Sequence, residues 1–334
     1  VLDQYSYRKE EALFKEGNTD SRMFDPIVFE NVGFPIRVSN INDIGQLLDT
    51  MQENRFDGYM QELGGLSPFE YDLMLSACYS SVMFQLNYLP HQLPILPLST
   101  LLSSFCIYKK LRGINPMFES VLEIGPGCGY LSLFLSQRTH KPLKYVQIET
   151  CESFYLLQNL INTHCFGADF DELALLPRAV KYNWRSDSEH IEEPHFVNVP
   201  HNPRCIHVPW WSIKNLYNFK FQIVTANAAF SEFSDAALEE YLRLIDIVLE
   251  PDGFILAQCL GCGGPRAELF DKFDKAGFAL LAKPTLPNDI TNAIWCRAGV
   301  HDYDVVNRVF FRRPKNRKIY TIEEFVVATE ELFK

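Results

Sequence analysis

Seven residues, Glu123-Ile-Gly-Pro-Gly-Cys-Gly129, carry the clearest chemical signature in the chain. An acid is followed by three alternate glycines, directly after the apolar run that begins at Val121. Glycine lacks a Cβ, so such a turn lets backbone N–H groups approach a bound group closely. A second acid, Glu149, stands 20 positions after Gly129 and closes another apolar run. A carboxylate there can accept hydrogen bonds from both hydroxyls of a ribose. The other reading of Glu149 is an acid at the start of the next helix, facing the positive end of its dipole. Together these residues imply a nucleotide-like ligand held at a strand–turn–helix corner. The dinucleotide fingerprint has the spacing G-x-G-x-x-G, whereas here the glycines alternate and position 130 is Tyr.

Residues of this kind need strands and helices to place them, and from position 119 onward the pattern alternates between the two. Short apolar runs at 121–124, 143–149, 204–209, 219–226, 254–257 and 278–282 predict strands. Between them, helical spacing predicts helices from Tyr130 to about Gln137, from near Cys151, from Asp235 to about Leu249 and from Arg266 to Ala276. A last antiparallel strand falls at 293–297 or at 305–311. This alternation is that of an α/β, doubly wound sheet with helices on both faces. Residues 1–118 read instead as a mostly helical region. Helices are predicted over 41–51 with Asn40 or Asn42 as cap, from Ser67-Pro68 to about Leu86, and from Ser99 to Leu111. Its Tyr59, Tyr71, Tyr79, Met83, Phe84 and Tyr88 either fill a helical core or line an acceptor pocket. The chain thus divides at 1–118 and 119–334, with an irregular acid- and histidine-bearing insertion near 166–203.

The form E-x-G-x-G-x-G, with Glu149 at the end of the next strand, resembles motifs I and II of the class I S-adenosylmethionine-dependent methyltransferases. The later order of strand, Asn227-x-x-x-x-Glu232, helix, Leu249-x-Pro251-x-Gly253 and strand resembles their motifs IV and V. The N-terminal region with the strip Asn-Ala-Ala-Phe-Ser-Glu232 looks like a loosely characterised group of sugar O-methyltransferases.

That resemblance implies a Rossmann-like sheet and S-adenosyl-L-methionine as cofactor. Glu123 would meet its methionine part, the backbone of Gly125, Gly127 and Gly129 would lie against it, and Glu149 would hold the ribose. Tyr130 and Asn227 fall within the same site. In the family an acid that touches adenine usually follows the third strand; here Pro209 and Trp210 stand there, so backbone groups or an aromatic wall would replace it, and Trp210 reads equally as a core or rim ring. The reaction would be in-line attack of a sugar or glycan oxygen on the sulfonium methyl, with a base removing the hydroxyl proton. Glu232 is the first candidate for that base, followed by His201 and His207, each also readable as an ordinary loop or strand-end histidine. A divalent metal activating the acceptor is compatible with the sequence. The same fold could serve a small metabolite, a phosphate or phosphonate oxygen, or an amine. A reading from another class is a cofactor-binding scaffold without turnover.

Composition narrows the partners. With 334 residues, 47% hydrophobic and 22% charged, the chain has ample material for a large core. A formal net charge of −11 argues against a general nucleic-acid binder. Arg308, Arg312, Arg313, Lys315, Arg317 and Lys318 are either a contact for an anionic acceptor or a solvated basic surface. Nine scattered cysteines read as reduced thiols of a cytoplasmic protein, and Cys259-Leu-Gly-Cys262 reads as part of a glycine-rich loop rather than a metal or redox pair. No run approaches the length of a transmembrane segment, and the N-terminus has no basic-then-apolar signal pattern. The first residue is Val, which suits a trimmed chain or one domain of a longer protein.

Overall fold

The computed structural model describes residues 2–16, 37–51, 55–89, 92–138, 143–175, 180–181, 197–198, 202–258, 267–282 and 292–297. Its centre is an eight-stranded sheet. The strands are β1 (Ser120–Ile124), β2 (Lys144–Glu149), β3 (Phe170–Glu172), β4 (Cys205–Pro209), β5 (Phe221–Asn227), β6 (Leu249–Gln258), β7 (Phe278–Ala282) and β8 (Asn292–Arg297). They lie in the order β3-β4-β2-β1-β5-β6-β8-β7. The first six are mutually parallel, and β8 runs antiparallel to both β6 and β7. Parallel strands need crossovers and are buried on both faces, which accounts for their near-continuous apolar runs. The Leu249-x-Pro251-x-Gly253 turn survives as an irregularity in β6. Phe221 pairs with Leu249 and Ile223 already with Phe254, so residues 250–253 bow out of the ladder.

The N-terminal region contributes α1 (Leu2–Glu16), α2 (Ile41–Thr50), α3 (Phe56–Leu63), α4 (Pro68–Tyr88) and α5 (Leu98–Ile114). Asn40 caps α2 and Ser67 caps α4, each in a reciprocal box with the acid three residues on, Asp43 and Glu70. Spacing does not anticipate helices α1 and α3. Most residues of α1 are polar or charged, and it buries Tyr5 against Tyr155 of the sheet-covering layer. Of the N-terminal aromatics, Tyr59 and Phe84 are buried, whereas Tyr71 and Tyr79 are exposed.

After β1 come α6 (Leu131–Leu135), α7 (Glu152–Phe166), α8 (Ala229–Glu232), α9 (Asp235–Val248) and α10 (Ala267–Lys275). Two cores sandwich the sheet. On one face Val121, Tyr145, Cys205, Ile223 and Leu256 pack with α4, α5, α6 and α7 in a cluster that reaches from Tyr5 to Ile294. On the other, Leu122, Ile124, Val146, Ile206 and Val224 pack with Leu238, Leu242 and Ile245 of α9. The N-terminal helices therefore share one hydrophobic core with the sheet.

The expected irregular insertion is corrected at its start. Residues 170–172 form the outermost parallel strand, paired with Cys205–His207, and residues 180–181 pair with 197–198. A sequence of three strand residues has no readable period, which hid β3. The last strand is 292–297, while 305–311, the 308–318 basic cluster and the Cys259–Cys262 motif lie outside the described residues. No described helix is long and apolar enough to cross a membrane.

Candidate functional site

The glycine turn leaves β1 at the carboxyl edge of the parallel strands, where open α/β sheets bind their ligands. Gly125, Gly127 and Gly129 all have left-handed backbone angles, with φ of 62°, 58° and 72°. Their surroundings differ. A Cβ on Gly125 would lie 2.6 Å from Ala229 Cβ, and one on Gly129 would lie 2.8 Å from Gln158 Cγ. A Cβ on Gly127 would meet nothing within 4 Å. The outer glycines make room for the protein, and the middle one faces open space. Tyr130 follows as the cap residue of α6, with its ring buried in the core.

Two acids stand on adjacent strands beneath this turn. Glu123 is 2% exposed and its Oε2 accepts from the Tyr145 hydroxyl and, at 3.3 Å, from Gln147 Nε2. Burial pushes its carboxyl up to about 7, against the opposing pull of those hydrogen bonds. Glu149 Oε1 accepts from the backbone N–H groups of Thr150 (2.8 Å) and Cys151 (2.9 Å), just before α7. Its Oε2 accepts from Gln158 Nε2 at 2.9 Å. Burial also raises the Glu149 carboxyl, opposed first by the Cys151 N–H. Three of about four acceptor positions on this carboxylate are thus engaged.

At the mouth of β5, Asn227 Nδ2 donates to Ser103 Oγ of α5 at 3.1 Å, and Gln258 Nε2 donates to the same oxygen at 3.0 Å. The next residue, Ala228, is the one non-glycine residue with positive φ among those described, at 63°. That angle costs an L-residue roughly 1–2 kcal/mol. It turns the chain sharply into α8, whose Ala229 packs on Gly125. Glu232 is the last residue of α8 and is half-buried. Trp210 follows β4, next to Pro209, which pairs with Glu149, and its buried Nε1 has no hydrogen-bond partner among the described residues.

Of the two histidines, His201 lies outside the described residues. His207 is placed in β4, fully buried, with Nδ1 2.8 Å from Glu172 Oε2 and Nε2 2.9 Å from Gln158 Oε1. Its ring stacks on Tyr155 at 3.8 Å. Both nitrogens are engaged within the protein, so His207 is removed from the glycine mouth as a proton acceptor. Among the described residues no three His, Cys, Asp or Glu side chains gather as a metal site would require.

Sequence reasoning missed Gln158, Glu172 and Ser103. The signal for the first was present: Gln158, Asn159 and Asn162 interrupt an apolar helix, and polar groups inside such a helix must find partners. In register, Glu172, His207, Gln147, Glu123 and Thr225 stand side by side on five neighbouring strands. All five are buried.

No family model matches the chain, and no curated protein matches it in sequence. Solved structures similar to it include an O-methyltransferase from Bacillus cereus in complex with SAH, with a TM-score of 0.39, 12% identity and coverage of 74% of this chain and 98% of that one. A TehB-like SAM-dependent methyltransferase from Corynebacterium glutamicum aligns with a TM-score of 0.35, 13% identity and coverage of 57% and 88%. CalS11, a TDP-rhamnose 3'-O-methyltransferase of calicheamicin biosynthesis, aligns at 0.37, 14% identity and coverage of 72% and 99%. These likenesses are distant.

Proposed function

We propose that the chain is an S-adenosylmethionine-dependent O-methyltransferase whose acceptor is a sugar or glycan hydroxyl. The observation that carries the cofactor reading is the Gly127 cradle. A left-handed glycine faces open space at the carboxyl edge of a parallel sheet, one strand away from a buried carboxylate. The cradle fits a group that must approach the backbone, since any side chain at 127 would occupy that space. Gly125, Gly127 and Gly129 would hold the ligand's chain, Glu149 would use its remaining Oε2 acceptor position for a ribose hydroxyl, and the unpartnered Trp210 Nε1 would face an acceptor on the base. When bound, the cofactor supplies the electrophilic methyl group.

The protein's own part is alignment and proton removal. A sugar hydroxyl is almost wholly protonated at neutral pH, so its attack needs a base. Glu232 is the residue we assign, because α8 carries it from the Ala228 kink at the mouth of β5, where an acceptor would face the cofactor. The sugar class rests on the sequence resemblance of the 227–232 strip together with the helical N-terminal region.

Calorimetry with S-adenosylhomocysteine and with NAD tests the cofactor. Binding of the first and not the second is expected; tight NAD binding without the other overturns the reading. Mass spectrometry after incubation with methyl-labelled cofactor and candidate glycans tests the acceptor. Glu232→Gln is expected to cut turnover by about 10²- to 10⁴-fold with cofactor affinity nearly intact. Near-normal turnover in the folded variant would remove Glu232 from the role.

A further inference from the structure

We infer that Gln158 is the positioning residue that joins the two halves of the proposed cofactor site, and that His207 and Glu172 lock its amide in the productive orientation. The inference deepens the cofactor reading and rests on it. Gln158 Nε2 donates to the Gly127 carbonyl at 2.6 Å and to Glu149 Oε2 at 2.9 Å. One amide nitrogen therefore bridges the open glycine and the acid on the neighbouring strand. The third glycine serves the same bridge. A Cβ at 129 would collide with Gln158 Cγ, so Gly129 lets this side chain cross the turn.

The orientation of a glutamine amide follows from its partners. Rotated by half a turn, Gln158 would set its oxygen against the Gly127 carbonyl and the Glu149 carboxylate, three acceptors in contact with no proton among them. The observed orientation leaves Oε1 facing His207 Nε2 at 2.9 Å, so that nitrogen donates. The other ring nitrogen, Nδ1, lies 2.8 Å from Glu172 Oε2, a contact that needs a proton on the nitrogen or on the carboxyl. Glu172 in turn accepts from the Tyr155 hydroxyl, from Asn159 Nδ2 at 2.8 Å and from the Ala174 N–H at 2.9 Å. These donors and the Tyr155 stack hold the imidazole at one angle. An outer strand is in this way connected through β4 and α7 to the cradle at Gly127. A buried hydrogen-bonded network is stiff, and stiffness at a backbone carbonyl sets where the adjacent N–H groups point.

Three variants test the chain of contacts. Gln158→Glu keeps the shape and removes the donor; its affinity for S-adenosylhomocysteine is expected to fall at least about tenfold, the scale of a hydrogen bond to a charged group. His207→Phe keeps the ring stack and removes the donor to Oε1, with a smaller loss expected. His207→Gln restores a donor near the Nε2 position and should return affinity to within a few-fold of wild type. Hydrogen–deuterium exchange of the peptide spanning 125–131, measured without ligand, should quicken in Gln158→Glu and His207→Phe and not in His207→Gln. Folded Gln158→Glu protein with wild-type affinity and wild-type exchange overturns the inference. Wild-type protein that binds no S-adenosylhomocysteine overturns the cofactor reading instead, and the exchange comparison still decides whether Gln158 sets the turn.

Discussion

Replacing Glu123 by glutamine should make the protein more stable, and increasingly so as pH rises. The Glu123 carboxyl sits at about 7 in the folded chain against an ordinary 4.5, because burial disfavours its charge more than Tyr145 and Gln147 favour it. Between those two values the folded state holds a proton that the unfolded state has released. Stability therefore falls as pH climbs through the window from about 4.5 to about 7, and is flat on either side. This is the reverse of the usual behaviour of a salt-bridged acid. At 1.36 kcal/mol per pH unit, the gap corresponds to up to about 3 kcal/mol. Glutamine keeps an oxygen for Tyr145 and Gln147 and takes no part in the titration. Urea denaturation of both proteins at half-unit steps from pH 4 to pH 8 measures the difference directly. The two curves should meet near pH 4 and separate by up to about 3 kcal/mol in favour of Glu123→Gln near pH 8. A separation that stays flat, or that grows in favour of the wild type, refutes the argument that Glu123 is penalised by its own burial.

Gly127→Ala should cost roughly 1–2 kcal/mol for its left-handed angle and abolish most cofactor binding, because its Cβ would fill the cradle; urea curves and calorimetry separate the two effects. Gly129→Ala should be the more destabilising of the two, since its Cβ also collides with Gln158. Ala228→Gly relieves a strained angle and should raise stability by about 1 kcal/mol, the αL penalty less the entropy of an added glycine, as measured by urea midpoint. Glu149→Ala should lower S-adenosylhomocysteine affinity by roughly 1.5–3 kcal/mol; unchanged affinity would leave this acid only its contacts with Thr150, Cys151 and Gln158.

The sheet and most of its helices were legible because each is declared by local period. The runs ending at Ile124, Glu149, Pro209 and Asn227 sit in the structure within one or two residues of where spacing put them. The cap at Ser67 and the glycine turn were legible for the same reason: their meaning lies within a few residues. What could not be read was made between distant segments. His207 and Glu172 are 35 residues apart, His207 and Gln158 49, and Asn227 and Ser103 124. A histidine inside a strand looks the same in sequence whether it faces a mouth or a buried carboxylate. Helix α1 was hidden because its residues are mostly polar, and such a stretch makes almost no period to detect.

The row of Glu172, His207, Gln147, Glu123 and Thr225 also bears on how the strands find one another. Side chains alternate along a strand, so sliding any one of these five by a single residue would carry its polar group to the opposite face, among Leu122, Val146, Ile206 and Val224. A leucine or valine misplaced in the same way would still meet apolar neighbours, because both faces of a parallel sheet are greasy, and the error would cost little. A carboxylate or an imidazole there would meet no partner, at a penalty of several kcal/mol. The five residues thus act as a combination that only one alignment opens, and the sheet is protected from its own near-misses by the least hydrophobic residues in its middle.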